Sequence, residues 1–254
     1  METKIIQAYL IHDPCKTFLI CDINEGRDFV DPLILMNHPE YDPFSVNELG
    51  CYAEGGMTDP STLLKSYKWG IFPWFAYRSM EKYWYCPSER FVIFPEKVHI
   101  GHSLRNLMNK TDYRLTVNKA FSQVINHCRT VNKRHNEENA WLGEEIMENF
   151  LEFNKMGYAK SVELWEDEEL IGGFYGVWIN GVFQGDSMFS LRPSASQIAL
   201  VKLCQLGEIE GERLKFIDTQ YSTPTFQRLG GEYISYEEYR RELDSNSDID
   251  QQGD

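Results

Sequence analysis

The stretch SVELWEDEELIGGFYGVWINGVFQGDSMFS, Ser161–Ser190, decides the fold of this 254-residue chain. Ser161–Trp165 and Leu170–Ile179 are rich in β-branched and aromatic residues and read as strands joined at Glu166–Glu169. Asn180-Gly181 then supplies a tight hairpin turn into Val182–Met188, so the spacing predicts three antiparallel strands. Ser194 with Gln197 three residues on predicts a capping box for a helix running to about Ile209. Leu214–Gln220 follows as a last buried strand. A meander, a helix and a final strand make the class α+β.

On the N-terminal side of the meander, Trp141–Met156 reads as a helix with Ile146, Phe150 and Phe153 on one face and Gly157 as its stop. A shorter helix is expected over Ala120–Cys128, and Thr58-Asp59-Pro60 starts another that Gly70 ends. Residues 1–57 read as strands and loops of a small α+β unit, and Asp244–Asp254 is polar, acidic and free of aromatics, as a disordered tail would be.

Composition excludes several classes. Hydrophobic residues make up 42% and aromatics 14%, enough for a packed core. No apolar run reaches the ~18 residues of a membrane helix, and Met1-Glu2-Thr3-Lys4 opens no signal peptide, so the expected compartment is the cytoplasm, without a membrane. Cysteines 15, 21, 51, 86, 128 and 204 include no CxxC pair and read as reduced thiols. His99 and His102 lie in a stretch that Pro95, Val98 and Ile100 favour as extended, so no metal site is expected.

The formal charge of −14 is uneven. Between residues 97 and 134, Lys97, Arg105, Lys110, Arg114, Lys119, Arg129, Lys133 and Arg134 face one acid, Asp112, for a local charge of +7. Such a run is either a solvated face or a surface for phosphates. Strand alternation places Val182, Gln184, Asp186 and Met188 on one face, and Asp218 and Gln220 together on theirs. Asp218 ends the apolar run Phe216-Ile217, where a carboxylate needs a partner. It either caps a turn there or belongs to an acidic cleft.

Six motifs in register carry a resemblance: Trp69-Gly-Ile-Phe-Pro-Trp-Phe75, Trp84-Tyr-Cys-Pro-Ser-Glu-Arg90, Trp141, Val162-Glu-Leu-Trp165 with Leu170-Ile-Gly-Gly173, Gly185-Asp-Ser-Met-Phe-Ser190 and Phe216-Ile-Asp-Thr-Gln220. Over roughly residues 47–240 the chain resembles the leucyl/phenylalanyl-tRNA–protein transferases. The resemblance implies an N-terminal domain (1–87) and a GNAT-like (acyl-CoA N-acyltransferase-like) mixed-sheet domain (88–241), and the acidic composition beyond them reads as a disordered tail (242–254). It implies transfer of Leu or Phe from aminoacyl-tRNA to proteins beginning with Arg or Lys, which creates a degradation signal, with no cofactor and no metal, and a monomer is expected.

Position by position, Trp74 and Trp141 match the aromatics that hold the tRNA 3′-adenosine, and Phe174, Phe183, Met188, Leu200 and Leu203 fall at or near the donor side-chain pocket. Asp218 and Gln220 match the catalytic pair. The Gln220 oxygen would accept a hydrogen bond from the attacking amine, with Asp218 orienting that amide and favouring the charge that builds on nitrogen. Asp186 stands where the family carries glutamate and would contact the acceptor's cationic residue or amine, one methylene and about 1.5 Å shorter in reach. The basic run would then meet tRNA phosphates. Two other readings compete: an acetyl-CoA-dependent GNAT enzyme, against which Phe189-Ser-Leu-Arg-Pro193 lacks a glycine-rich phosphate loop, and a non-catalytic or redirected member that binds aminoacyl-tRNA or basic N-termini.

Overall fold

The computed structural model describes residues 4–10, 13–23, 28–39, 50–74, 82–131 and 142–245. Trp141, Lys133 and Arg134 and the tail from residue 246 lie outside these. In the first part, β1 (Lys4–Leu10), β2 (Asp13–Asp22), α1 (Pro32–Met36), β3 (Cys51–Glu54), α2 (Pro60–Tyr67), β4 (Phe72–Pro73) and β5 (Tyr83–Tyr85) follow one another. Their strands form a five-stranded sheet in the order β1-β2-β3-β5-β4. As the sequence suggests, Asp59 caps α2, accepting from the Ser61 and Thr62 amides, and Pro60 takes the first turn, where no N–H is needed.

The chain continues with β6 (Glu89–Ile93), α3 (His102–Lys110), β7 (Tyr113–Val117), α4 (Phe121–Val131), α5 (Glu144–Lys155), β8 (Ala159–Glu166), β9 (Glu169–Ile179), β10 (Val182–Ser190) and α6 (Ala195–Leu206). The hairpin β11 (Glu208–Ile209) and β12 (Glu212–Arg213), then β13 (Phe216–Asp218), α7 (Pro224–Arg228), β14 (Glu232–Ser235) and α8 (Tyr236–Asp244) complete it. The second sheet runs β14-β6-β13-β10-β9-β8-β7. The expected antiparallel meander β8-β9-β10 is its centre, and β13 joins β10 in parallel, with Gln184 opposite Asp218. The α+β class is borne out by this mixed sheet.

Two apolar cores flank it. On one face α6 buries Ile198, Leu200, Val201 and Leu203 against Val162, Phe174, Phe183 and Ile217, and α3 adds Leu104. On the other, α2, α4, α5, α8 and the five-stranded sheet pack against Tyr175, Val177, Val182, Phe189 and Phe216. Gly172 permits the first packing: a Cβ there would stand 2.5 Å from Ala195 Cβ, so this glycine admits a helix rather than a ligand.

Four local expectations are corrected. Ser194 sits at φ 61° with no side-chain capping bond, so the Ser194/Gln197 box does not form. Ser190 Oγ serves instead, accepting the Ser196 amide at 3.0 Å from the end of β10. The helix stops at Leu206, because Gly207 adopts φ 72° as its C-cap, and the next residues turn into β11. His102 is not extended; it opens α3, its ring Nδ1 3.2 Å from Asn106 Nδ2. Finally, α8 runs to Asp244 with Leu243 buried, so residues 242–244 are helix rather than tail.

Candidate active site

The alternation expected along β10 is broken at one residue. Gly185 pairs with Gly176 and Ser187 with Tyr175, so Asp186 is the extra residue of a β-bulge. Val182 and Phe189 consequently share one core, and Phe183 and Met188 the other. Met188 therefore does not share a face with Val182 and Gln184: the bulge turns it to the α6 side.

There a cavity of about 350 Å³ opens, with Phe174, Met188, Leu200, Ile217 and Phe226 as apolar wall and Asp186, Asp218 and Gln220 at its polar end. Three of the five residues assigned to the donor pocket line it. Phe183 and Leu203 do not: both are fully buried behind it, Phe183 packing edge-on against Phe174 at 5.2 Å. Ile217 and Phe226 were missed. Ile217 is the alternate residue to Asp218 on β13, but the approach of Phe226 from α7 has no local signal.

A second hollow of about 150 Å³ lies between Phe72, Pro73 and Trp74 on one side and Asp186, Gln220 and Tyr221 on the other. Trp74 is 37% exposed and stands 5.6 Å from the Tyr221 ring and 5.7 Å from Tyr85. Asp186 and Gln220 belong to both cavities and form their common wall.

Asp218 is fully buried and has a partner that the sequence reading did not identify. Arg90, equally buried on β6, donates from Nη2 to Asp218 Oδ2 and from Nε to Oδ1 at 3.4 Å. The charge rule applied to Asp218 would have singled out Arg90 too, since it opens the apolar run Arg90-Phe-Val-Ile93. Asp218 Oδ1 also accepts the Gln220 backbone amide at 2.8 Å, holding Gln220 at φ 64°. Capping a turn and belonging to a polar cleft are thus both realised. Removing one partner of a buried pair costs about 3–5 kcal/mol.

Asp186 has a different environment. The Tyr67 hydroxyl donates to its Oδ1 at 2.6 Å, while Oδ2 is buried without a hydrogen bond of ordinary geometry. Burial pushes its carboxyl up to about 8, further raised by Asp218 and opposed by Tyr67, Arg90 and the Gln220 side chain. Tyr67 is itself anchored, since its carbonyl accepts from Gln184 Nε2 at 3.1 Å and Gln184 Oε1 accepts the Tyr239 hydroxyl at 2.9 Å. Sequence gave no reason to single out Tyr67, because it continues the buried stripe of α2 with Leu63 and Ser66.

Among the described residues, the members of the basic run do not assemble as one patch. Arg105 and Lys110 are on α3, whose Leu104 packs in the α6-side core, whereas α4, bearing Arg129, packs on the opposite face of the sheet. Lys97 pairs with Glu232 and lies 4.7 Å over Phe94. Arg114 lies over Trp165 at 5.1 Å on the edge strand, Arg129 meets Glu144 at 3.5 Å, and Lys119 is exposed before α4. A charge sum along sequence ignores the sheet that separates its members.

Cys21, Cys51, Cys86, Cys128 and Cys204 are buried thiols. Among the described residues no group of three His, Cys, Asp or Glu side chains is placed to hold a metal ion, and no helix is long and apolar enough to cross a membrane.

Among solved structures, a GCN5-related N-acetyltransferase from Kribbella flavida aligns with a TM-score of 0.32 at 12% identity, covering 71% of this chain and 63% of that one. The sequence relatives are much nearer. A leucyl/phenylalanyl-tRNA–protein transferase of Flavobacterium johnsoniae is 38% identical over 199 residues, 78% of this chain and 92% of that protein. Those of Hydrogenovibrio crunogenus (39%, covering 74% and 72%) and Myxococcus xanthus (38%, covering 79% and 86%) are similar. The model of the family described as leucyl/phenylalanyl-tRNA protein transferase matches residues 92–244, a span that holds Asp186, Asp218, Gln220 and the whole apolar wall of the larger cavity. The chain belongs to the leucyl/phenylalanyl-tRNA–protein transferase family.

Proposed function

We propose that this chain transfers Leu or Phe from aminoacyl-tRNA to the α-amine of proteins that begin with Arg or Lys. The observation that carries the reading is the wall of Asp186 and Gln220 shared by an apolar cavity and an aromatic hollow. An aminoacylated 3′-adenosine has this shape: a side chain for the first space, a base for the second, and an ester between them. Trp74, with Trp141 as its expected counterpart, stacks the adenine, worth about 1–3 kcal/mol. Phe174, Met188, Leu200, Ile217 and Phe226 receive the donor side chain and discriminate by shape.

In the reaction the acceptor nitrogen, once it has given up its first proton, bonds to the ester carbonyl carbon, and the carbon–oxygen bond to the ribose breaks. The second proton lost by nitrogen ends on the ribose oxygen, while the first is taken by Asp186 and returned to solvent. Attack requires a neutral amine, whose pKa in a free N-terminus is about 8. A carboxyl raised to about 8 matches it, so a proton can pass from ammonium to Asp186 at little free-energy cost. Gln220 accepts a hydrogen bond from the amine, and Asp218, held by Arg90, fixes the turn that presents Gln220. This assigns proton transfer to Asp186 and positioning to Asp218 and Gln220.

The acceptor's cationic residue is drawn by the −14 charge of the chain as a whole. tRNA phosphates meet Arg105 and Lys110 on the face that carries the donor cavity, through a salt-sensitive contact. The protein acts in the cytoplasm as a monomer.

The test uses purified protein, labelled Leu-tRNA and peptides beginning with Arg or Ala, with Asp218→Ala as control. Label passing to the Arg peptide alone, and not in the variant, is expected. Aminoacyl-tRNA bound without transfer would refute the proposal in favour of a binding module.

A further inference from the structure

The Arg90 guanidinium is spent on three separate pieces of the chain. Nη1 donates to the carbonyl of Gly70, the residue from which the segment to Trp74 departs. Nη2 and Nε donate to Asp218, which in turn holds the Gln220 amide. Its Cζ lies over the Phe72 ring at 5.1 Å and over the Tyr239 ring at 4.4 Å. Gly70 reaches this position because it is a glycine: at φ 68° it lies so close over Tyr239 that a Cβ would strike the ring. Phe72 and Trp74 form one wall of the smaller hollow and Gln220 and Tyr221 the other; Arg90 links the two segments through the Gly70 carbonyl and through Asp218, which holds the Gln220 amide.

A buried ion pair is weak support for stability, since apolar residues of similar volume often serve as well or better. What an apolar side chain cannot do is set the distance between a carbonyl on one segment and a carboxylate on another. A guanidinium, planar and forked, can.

We infer that Arg90 is a positioning residue for transfer, fixing the Trp74 segment relative to the Gln220 turn so that the bound tRNA end and the carboxamide that meets the amine stay aligned. The inference rests on the transfer reading above. Misplacement by about 1 Å costs on the order of 100-fold in rate, and a lysine at position 90, a point charge on a flexible stem, cannot reproduce the three-way hold.

The experiment measures single-turnover transfer of labelled Leu from tRNA to an Arg peptide by the full chain and by Arg90→Lys, each also combined with Trp74→Ala, at a temperature where circular dichroism shows all four folded. The expected result is a loss of about 100-fold in Arg90→Lys that shrinks to within about threefold in the Trp74→Ala background, because a lost alignment cannot be lost twice. A loss of the same size in both backgrounds would be that of a merely structural residue and overturns the inference, as does unchanged transfer by Arg90→Lys. If Arg90→Lys does not fold, Gly70→Ala takes its place: its Cβ meets the Tyr239 ring, so either that ring, which lies over Arg90, or the backbone that carries the Gly70 carbonyl must shift. Transfer reduced at least tenfold is then expected, and unchanged transfer overturns the inference. Absence of transfer by the unmodified chain would instead refute the reading on which this one stands.

Discussion

Replacing Asp186 with asparagine should change how stability depends on pH, and the size of the change follows from one carboxyl. In the unfolded chain Asp186 ionises near 3.9; in the folded protein burial holds it at about 8. Between those values the folded state binds one proton more than the unfolded state, so stability is fully present below about pH 4 and is lost as pH rises toward 8. The slope is about 1.4 kcal/mol per pH unit, and pH 5 to 8 gives an upper bound of about 4 kcal/mol from this group. Asparagine has the same shape, keeps an oxygen to accept from Tyr67, and does not titrate. Urea unfolding of both proteins at each unit from pH 5 to 9 measures the difference. The variant should gain on the parent with the stated slope up to about pH 8 and then hold a constant lead. Parallel profiles across the range would mean that the carboxyl is ionised in the folded protein at neutral pH, and the matched proton transfer assigned to Asp186 would fail with it.

Four further outcomes are expected. Asp218→Ala should abolish transfer while leaving aminoacyl-tRNA binding largely intact, and should lower stability by about 3–5 kcal/mol, because Arg90 is left buried without its counterion; denaturant unfolding and filter binding check the two halves. Trp74→Ala should weaken donor binding by about 1–3 kcal/mol, and a Kd within twofold of the parent's would remove Trp74 from the tRNA site. Leu200→Phe narrows the 350 Å³ cavity and should cut transfer of Phe about tenfold or more relative to Leu, read as the ratio of kcat/KM values. At α6, Ser190→Ala should cost about 1 kcal/mol by thermal unfolding and Ser194→Ala should show no loss of a cap, since only Ser190 accepts a helix amide.

Patterns that span only a few residues are legible in the chain alone. The Asn180-Gly181 hairpin, the strands on either side, the Asp59-Pro60 start of α2 and the stripe of Ile146, Phe150 and Phe153 on α5 are local patterns of period two or near four, and each stands where it was read. Motif likeness singles out Phe174, Met188, Leu200, Asp186, Asp218, Gln220 and Trp74, which line the two cavities, and the cost of a charge on an apolar strand singles out Asp218 as well. Tertiary structure decided the rest. The bulge at Asp186 arises from pairing against Tyr175 and Gly176, and it alone sends Met188 to the cavity and Asp186 to Tyr67. Arg90 and Asp218 are 128 positions apart, and α3 and α4 are consecutive helices placed on opposite faces of one sheet. Charge, burial and proton affinity are set by distances in space, and local periodicity carries no information about which distant strand or helix will stand there.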